Sequence, residues 1–140
     1  PQTSKIRDIF GKGKVVLFGL PGAFTSTCSK LHLPGYVGNA DKIKSKGIEK
    51  IFCLSVNDPF VMNAWGEANN AGGKITMLSD PYLLFTKAIG AEVDRNSKGM
   101  GIRSNRYAMV IQNLEVVNIQ VEKETKQCGL SSAEGVLDLL

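Results

Sequence analysis

Three apolar runs, each followed within a few residues by a helix start, constrain this chain more than any other feature. Val15-Val16-Leu17-Phe18 leads through Pro21-Gly22 to a helix start around Thr25-Ser26. Ile51-Phe52-Cys53-Leu54-Ser55-Val56 leads to Asn57-Asp58-Pro59, and Met77-Leu78-Ser79 leads to Asp80-Pro81. In the last two, an aspartate caps the helix and proline takes the first helical position, where no backbone N–H is needed. Short continuous apolar runs read as strands buried on both faces. Strands that alternate with helices need crossovers, hence a parallel sheet with helices packed on it. Two later runs, Tyr107–Ile111 and Val116–Val121, flank a tight turn at Gln112-Asn113-Leu114 and read as a hairpin that adds antiparallel strands. The expected fold is α/β, a central mixed β-sheet flanked by helices, in the order of a thioredoxin-like fold.

Between these landmarks the pattern is less sharp. Residues 4–10 read as a short helical turn. Tyr36, Val37, Ala40 and Ile43 recur at helical spacing, with Pro34 expected to bend or interrupt their helix. Phe60, Val61, Ala64 and Trp65 are the expected inner face of the helix after Pro59. Leu84, Phe85, Ala88 and Ile89 are that of the helix after Pro81. Residues 91–105 are polar and glycine-containing and read as an excursion over the surface. Ser131-Ser132-Ala133-Glu134 opens a last helix with a capping arrangement, and Val136, Leu137 and Leu140 face inward. With no repeat and no linker, the 140 residues are expected to form one domain over 1–140.

Composition narrows the classes of function. Hydrophobic residues are 43% of the chain, enough for a core without disulfide or metal support. The formal charge is +4 and the basic residues are scattered, so no nucleic-acid surface is expected. No apolar run approaches the ~20 residues that span a membrane. The start, Pro1-Gln2-Thr3-Ser4, is neither a signal peptide nor a natural beginning, so a targeting segment is not visible. Three cysteines, Cys28, Cys53 and Cys128, are an odd and unclustered set, which argues against a secreted disulfide framework and for an intracellular protein. There is no Cys-x-x-Cys. Cys28 and His32 are the one close pair of metal-ligand residues, too few for a zinc site, so neither metal nor cofactor is expected.

The chemistry centres on Leu20–Tyr36. A buried strand runs into Pro21-Gly22 and then a helix that Thr25 or Ser26 can cap, which puts Cys28 in the first turn. The free N–H groups and positive dipole end there favour thiolate over thiol. Thr25, three residues before Cys28, lies on the same side of that turn. His32, four residues after it, shares its face. A Cys–His pair is a nucleophile arrangement, but no third residue to orient the histidine is evident, so His32 reads as lining or supporting the pocket rather than as a base.

Pro21-x-x-x-Thr25-x-x-Cys28 resembles the active-site signature of the peroxiredoxins. The longer run Pro-Gly-Ala-Phe-Thr-x-x-Cys-Ser resembles their atypical two-cysteine, or type II, subfamily. The likeness continues in Cys53-Leu-Ser-Val-Asn-Asp-Pro-Phe-Val-Met, in Ala64-Trp65-Gly66, in Gly99-Met-Gly-Ile-Arg-Ser-Asn-Arg-Tyr and in Ser131-Ser-Ala-Glu. It departs in Ser26, where members commonly have proline, and in the absence of an N-terminal segment of strands.

The resemblance implies a thiol-dependent peroxidase, an antioxidant enzyme of cell redox homeostasis that reduces hydrogen peroxide and organic hydroperoxides through a sulfenic acid at Cys28. It implies that Thr25 donates to the thiolate and accepts from the peroxide, that Pro21 walls the pocket, and that Arg106 is the catalytic cation. Arg103, three residues earlier, is the structural or solvated rival. The resolving cysteine is Cys128, in a polar loop, or Cys53, or neither, in which case an external thiol acts. Expected partners are the peroxide, a thiol reductant (thioredoxin, or glutathione with glutaredoxin) and a second copy in a homodimer. The expected location is cytoplasmic or organellar, such as mitochondrial. A redox sensor or chaperone using the same cysteine is the alternative, and a binding module with a degenerate site is a further one.

Overall fold

The computed structural model describes residues 2–140. Strands β1 (Lys14–Gly19), β2 (Lys50–Ser55) and β3 (Thr76–Ser79) form the parallel half of a five-stranded sheet. Strands β6 (Tyr107–Gln112) and β7 (Glu115–Val121) form the antiparallel half, and the spatial order is β3-β2-β1-β6-β7. β1 is the central strand, with Phe18 opposite Cys53 on one side and Ala108 on the other. Its alternate residues point to opposite faces. Val16 and Phe18 join one cluster with Cys28, Leu33, Tyr36, Ile43, Trp65 and Val136. Val15 and Leu17 join another with Phe10, Phe52, Met109 and Ile111. A run that reads as continuously apolar is therefore packed on both sides. Gly19, where β1 enters the site, has no room for a side chain because the Tyr107 ring covers it.

Helix α1 (Ile6–Phe10), a long second helix ending in α2 (Leu33–Lys44), α3 (Pro59–Ala68), α4 (Leu84–Ala88) and α5 (Ala133–Leu137) flank the sheet. Asp58 caps α3 by accepting from Val61 N–H at 2.9 Å, and Ser132 caps α5 by accepting from Gly135 N–H at 3.0 Å. Among the described residues, no helix is long and apolar enough to cross a membrane.

Several local expectations differ from the structure. Of the expected inner face of α3, Trp65 is buried and Val61 packs against the core, but Met62 and Gly66 complete that face while Phe60 and Ala64 face outward. The Trp65 indole, seated by its N–H bond to Ser29 Oγ at 3.0 Å, sets the helix rotation. Helix α4 begins at Leu84, not at Pro81, and buries Thr86; Phe85 and Ile89 pack against the core as expected, whereas Leu84 and Ala88 are exposed. Asp80 still anchors it, accepting from Thr86 N–H at 2.8 Å and Thr86 Oγ at 2.7 Å across an intervening turn. Residues 91–105 are not all excursion. They hold an antiparallel pair, β4 (Glu92–Asp94) and β5 (Ile102–Ser104). Pro34 does not break its helix. The turn before it widens instead: Cys28–His32 is a π-helical turn in which Leu33 N–H bonds to the Cys28 carbonyl. Proline has no N–H to offer the carbonyl one turn back and its ring crowds that turn, and the widened turn lies directly before it.

Candidate active site

The loop between β1 and the Cys28 helix is pinned from β2 and from the turn that follows it. Leu20 N–H donates to Leu54 O at 3.2 Å, and Ala23 N–H donates to Asn57 Oδ1 at 2.8 Å. Ser29 N–H donates to Thr25 O at 2.9 Å, so the helix starts just after Thr25. Neither candidate hydroxyl caps it as expected. Ser26 is already helical, and Thr25 Oγ1 donates to Gly22 O at 2.6 Å. With its one proton committed there, the Thr25 oxygen can only accept from a further partner. Its expected donation to the Cys28 sulfur is absent from the structure.

Cys28 is fully buried. Its sulfur accepts from Arg106 Nη2 at 3.0 Å. Arg106, at the entry to β6, is itself only 2% exposed, and its other donors are committed with equal care. Nη1 lies 2.8 Å from His32 Nδ1, and Nε donates to Thr125 O at 2.9 Å. A buried guanidinium needs such acceptors, because desolvation would otherwise expel it. Of its five N–H groups, three are used in this way. A full positive charge that donates to sulfur stabilises a sulfur anion.

Arg106 also settles the state of His32. A guanidinium only donates, so Nδ1 accepts and the ring proton sits on Nε2, which donates to Ser131 O at 3.0 Å. Burial, and after it the charge of Arg106, push the imidazole down to about 3. Neutral, with both nitrogens engaged, His32 has neither a free lone pair nor a spare proton. It positions Arg106.

Behind His32 lies a layer not singled out in the sequence. Ser131 O also accepts from Tyr36 Oη at 2.7 Å. Glu122, a buried carboxylate at the end of β7, accepts from Ser131 Oγ at 2.6 Å and from the backbone N–H groups of Ser131 and Gly129, each at 2.8 Å. Burial works to raise the Glu122 carboxyl, but the donors from Ser131 and Gly129 outweigh it and hold the group below its ordinary range. Ser131 had a visible signal as a helix start. Glu122 had none, since its partners lie several residues on in a bent loop.

Arg103 lies on β5 and grips the site from outside. Its Nε donates to Met100 O at 2.8 Å and its Nη1 to Pro21 O at 3.1 Å, and a side chain at Gly22 would obstruct that reach. A cleft of about 190 Å³ opens here, lined by Pro21, Thr25, Arg106, Thr125 and their neighbours. The structure thus brings Pro21, Thr25, Cys28, His32 and Arg106 together. Cys53 is buried in β2, and burial, then the proximity of Cys28, push its thiol well up. Cys128 is half-buried in the loop after β7, and burial pushes its thiol up to about 11. All three cysteines are free. Among the described residues no group of three or more His, Cys, Asp or Glu side chains is placed to hold a metal ion.

The Redoxin family model matches residues 1–137. Peroxiredoxin-2D of Arabidopsis thaliana is 45% identical over 139 residues, covering 99% of this chain and 85% of that protein. The mitochondrial peroxiredoxin-2F of Oryza sativa is 39% identical and covers 98% of this chain and 69% of that one. The crystal structure of reduced Prx3 from Vibrio vulnificus in complex with hydrogen peroxide is 50% identical, covers 96% of this chain and 86% of that chain, and superposes with a TM-score of 0.91.

Proposed function

This chain belongs to the Redoxin family as a peroxiredoxin and is a thiol-dependent peroxidase; from that premise we propose that Cys28 is its peroxide-reducing cysteine, with Arg106 as catalytic cation and Thr25 as acceptor for the peroxide proton. One observation carries the reading: the Arg106 guanidinium donates to Cys28 Sγ at 3.0 Å and lines the cleft that Thr25 and Pro21 also line.

The thiolate attacks the terminal oxygen of R–O–O–H. The S–O bond forms as the O–O bond breaks, and two electrons pass from sulfur to the peroxide. The terminal oxygen keeps its hydrogen and becomes the S–OH group, while the leaving oxygen takes the electron pair and, through solvent, the proton that Cys28 lost on ionising, and departs as water or an alcohol. Arg106 lies against the sulfur and the cleft, where charge shifts during this step, so its donors stabilise the transition state more than the reduced resting state. The free lone pairs of Thr25 hold the peroxide proton and aim the O–O bond. Pro21 adds an apolar wall that limits competing water. Because Cys28 is closed off from solvent, a small shift of the first helical turn precedes attack.

The sulfenic acid is then reduced by a thiol, releasing water and leaving a disulfide. Cys53 is poorly suited, since it lies inside a strand and its thiol is held protonated. Cys128 is the internal candidate, and at neutral pH an external thiol from glutathione with glutaredoxin, or from thioredoxin, competes with it. The exposed side chains of Phe24 and Leu31, on the active-site stretch, support association with a second copy. Sedimentation showing only monomer at tens of micromolar in both redox states would remove that element. The similarity to peroxiredoxins favours the peroxidase over a sensor or chaperone. The test is consumption of hydrogen peroxide at catalytic protein levels with a thiol reductant: sustained turnover is expected, and one equivalent per protein would indicate a switch instead.

A further inference from the structure

The cleft is larger than a peroxide group requires. Its volume of about 190 Å³ is on the order of ten times the ~15 Å³ that admits one water. Besides Pro21, Thr25 and Arg106, its lining includes Arg95, Met100 and Lys126.

Arg95 has no part in the chemistry set out above, yet its place is well fixed. Its N–H donates to Gly101 O at 2.7 Å, and its carbonyl accepts from Lys98 N–H at 3.0 Å and Met100 N–H at 3.1 Å. Arg103 ties the same β4–β5 hairpin to the Pro21 carbonyl. The Arg95 side chain, by contrast, makes no hydrogen bond or ion pair among the described residues. Its Nε is buried and unbonded among the described residues. The ion pair found among those residues joins Lys126 to Glu124 at 3.3 Å and does not involve Arg95. A buried guanidinium donor without an acceptor is costly to leave so. Its planar fork matches a carboxylate. Met100 supplies an apolar surface for a hydrocarbon in the same cleft.

We propose that Arg95 forms a subsite for a carboxylate carried by the substrate, so that the preferred organic substrates are hydroperoxides of carboxylic acids. The hydroperoxide group sits at Thr25 and Arg106, and the carboxylate at Arg95. The inference rests on Cys28 being the reacting thiol.

The experiment is single-turnover oxidation of the reduced protein, followed without any thiol present, by a medium-chain ω-hydroperoxy carboxylic acid and by its methyl ester. Omitting thiol keeps a carboxylate on a reductant from reaching the same guanidinium. The quantity read is the ratio of the two second-order rate constants, which cancels any general change in Cys28 reactivity. Wild type is expected to favour the acid by about tenfold, the factor one charge-assisted hydrogen bond supplies. Arg95→Gln should bring the ratio near unity, and Arg95→Lys, with charge but no fork, should keep part of it. An acid-to-ester ratio near one in wild type, or one unchanged in Arg95→Gln, would overturn the proposal. Hydrogen peroxide with wild type and Cys28→Ser tests the underlying reading separately: if Cys28→Ser is still oxidised at the wild-type rate, it is the Cys28 assignment that fails.

Discussion

Arg106 Nη2 lies 3.0 Å from Cys28 Sγ, with both residues buried. The guanidinium reached that place against a desolvation cost, and three acceptors from different parts of the chain hold it there: Cys28 from the helix start, His32 from the π turn and Thr125 from the loop after β7. A cation so fixed needs little reorganisation as charge shifts in the reaction, which is what makes electrostatic stabilisation effective.

Arg106→Ala should therefore lower the second-order rate of Cys28 oxidation by on the order of 100-fold or more. Arg103→Ala should cost much less, because Arg103 holds the Pro21 carbonyl and does not touch the sulfur. Stopped-flow rates for the two variants decide the ranking, and the reverse order would exchange their roles.

His32 gives a pH prediction. Its imidazole is pushed down to about 3 in the fold from an ordinary 6.5. The unfolded chain therefore binds the extra proton between those values. The corresponding stability is full above pH 6.5 and is lost as pH falls towards 3, by at most about 1.4 kcal/mol per pH unit from this one group. Urea unfolding at pH 7 and pH 5 should show the loss, and His32→Gln should flatten that slope. The rate of Cys28 oxidation should show no inflection near pH 6.5 that His32→Gln removes. Such an inflection would make His32 an acid or base.

The resolving thiol has its own signature. Any internal disulfide is expected to join Cys28 to Cys128, whose loop can open locally at lower cost than β2. Because the Cys128 thiol is pushed up to about 11, formation of that bond should speed up steadily from pH 7 to pH 9. Non-reducing peptide mapping after peroxide treatment checks it. A Cys28–Cys53 peptide would contradict the choice. No internal disulfide, with turnover sustained by glutathione and glutaredoxin, would make the mechanism one-cysteine.

Much of this was legible because its signals were local. Val15–Phe18, Ile51–Val56 and the Tyr107–Val121 hairpin announced the sheet through runs of apolar residues, and Asp58 announced its cap through the proline beside it. Pro21, Thr25 and Cys28 are close in the chain, so their spacing marks the candidate site. What stayed hidden depends on distant contacts. Glu122 meets Ser131 across a loop to support His32, and although Ser131 marks a helix start, nothing local marks Glu122 or the pairing. Strands β4 and β5 are three residues each and partly polar, too short for alternation to register. The inner face of α3 departs from its apolar pattern because Phe60 is left exposed while Gly66 packs against the Met77 side chain. Polarity alone does not reveal which large side chain a fold leaves outside.

The most direct measurement is mass spectrometry of the fully reduced protein after one equivalent of hydrogen peroxide, with a sulfenic-acid trap present. The expected result is oxidation confined to the peptide containing Cys28, as the trapped adduct or, where resolution outpaces the trap, as a Cys28–Cys128 disulfide, with Cys53 still a free thiol; an adduct on Cys53 or Cys128 while Cys28 remains reduced would contradict the assignment of Cys28 as the peroxide-reducing residue.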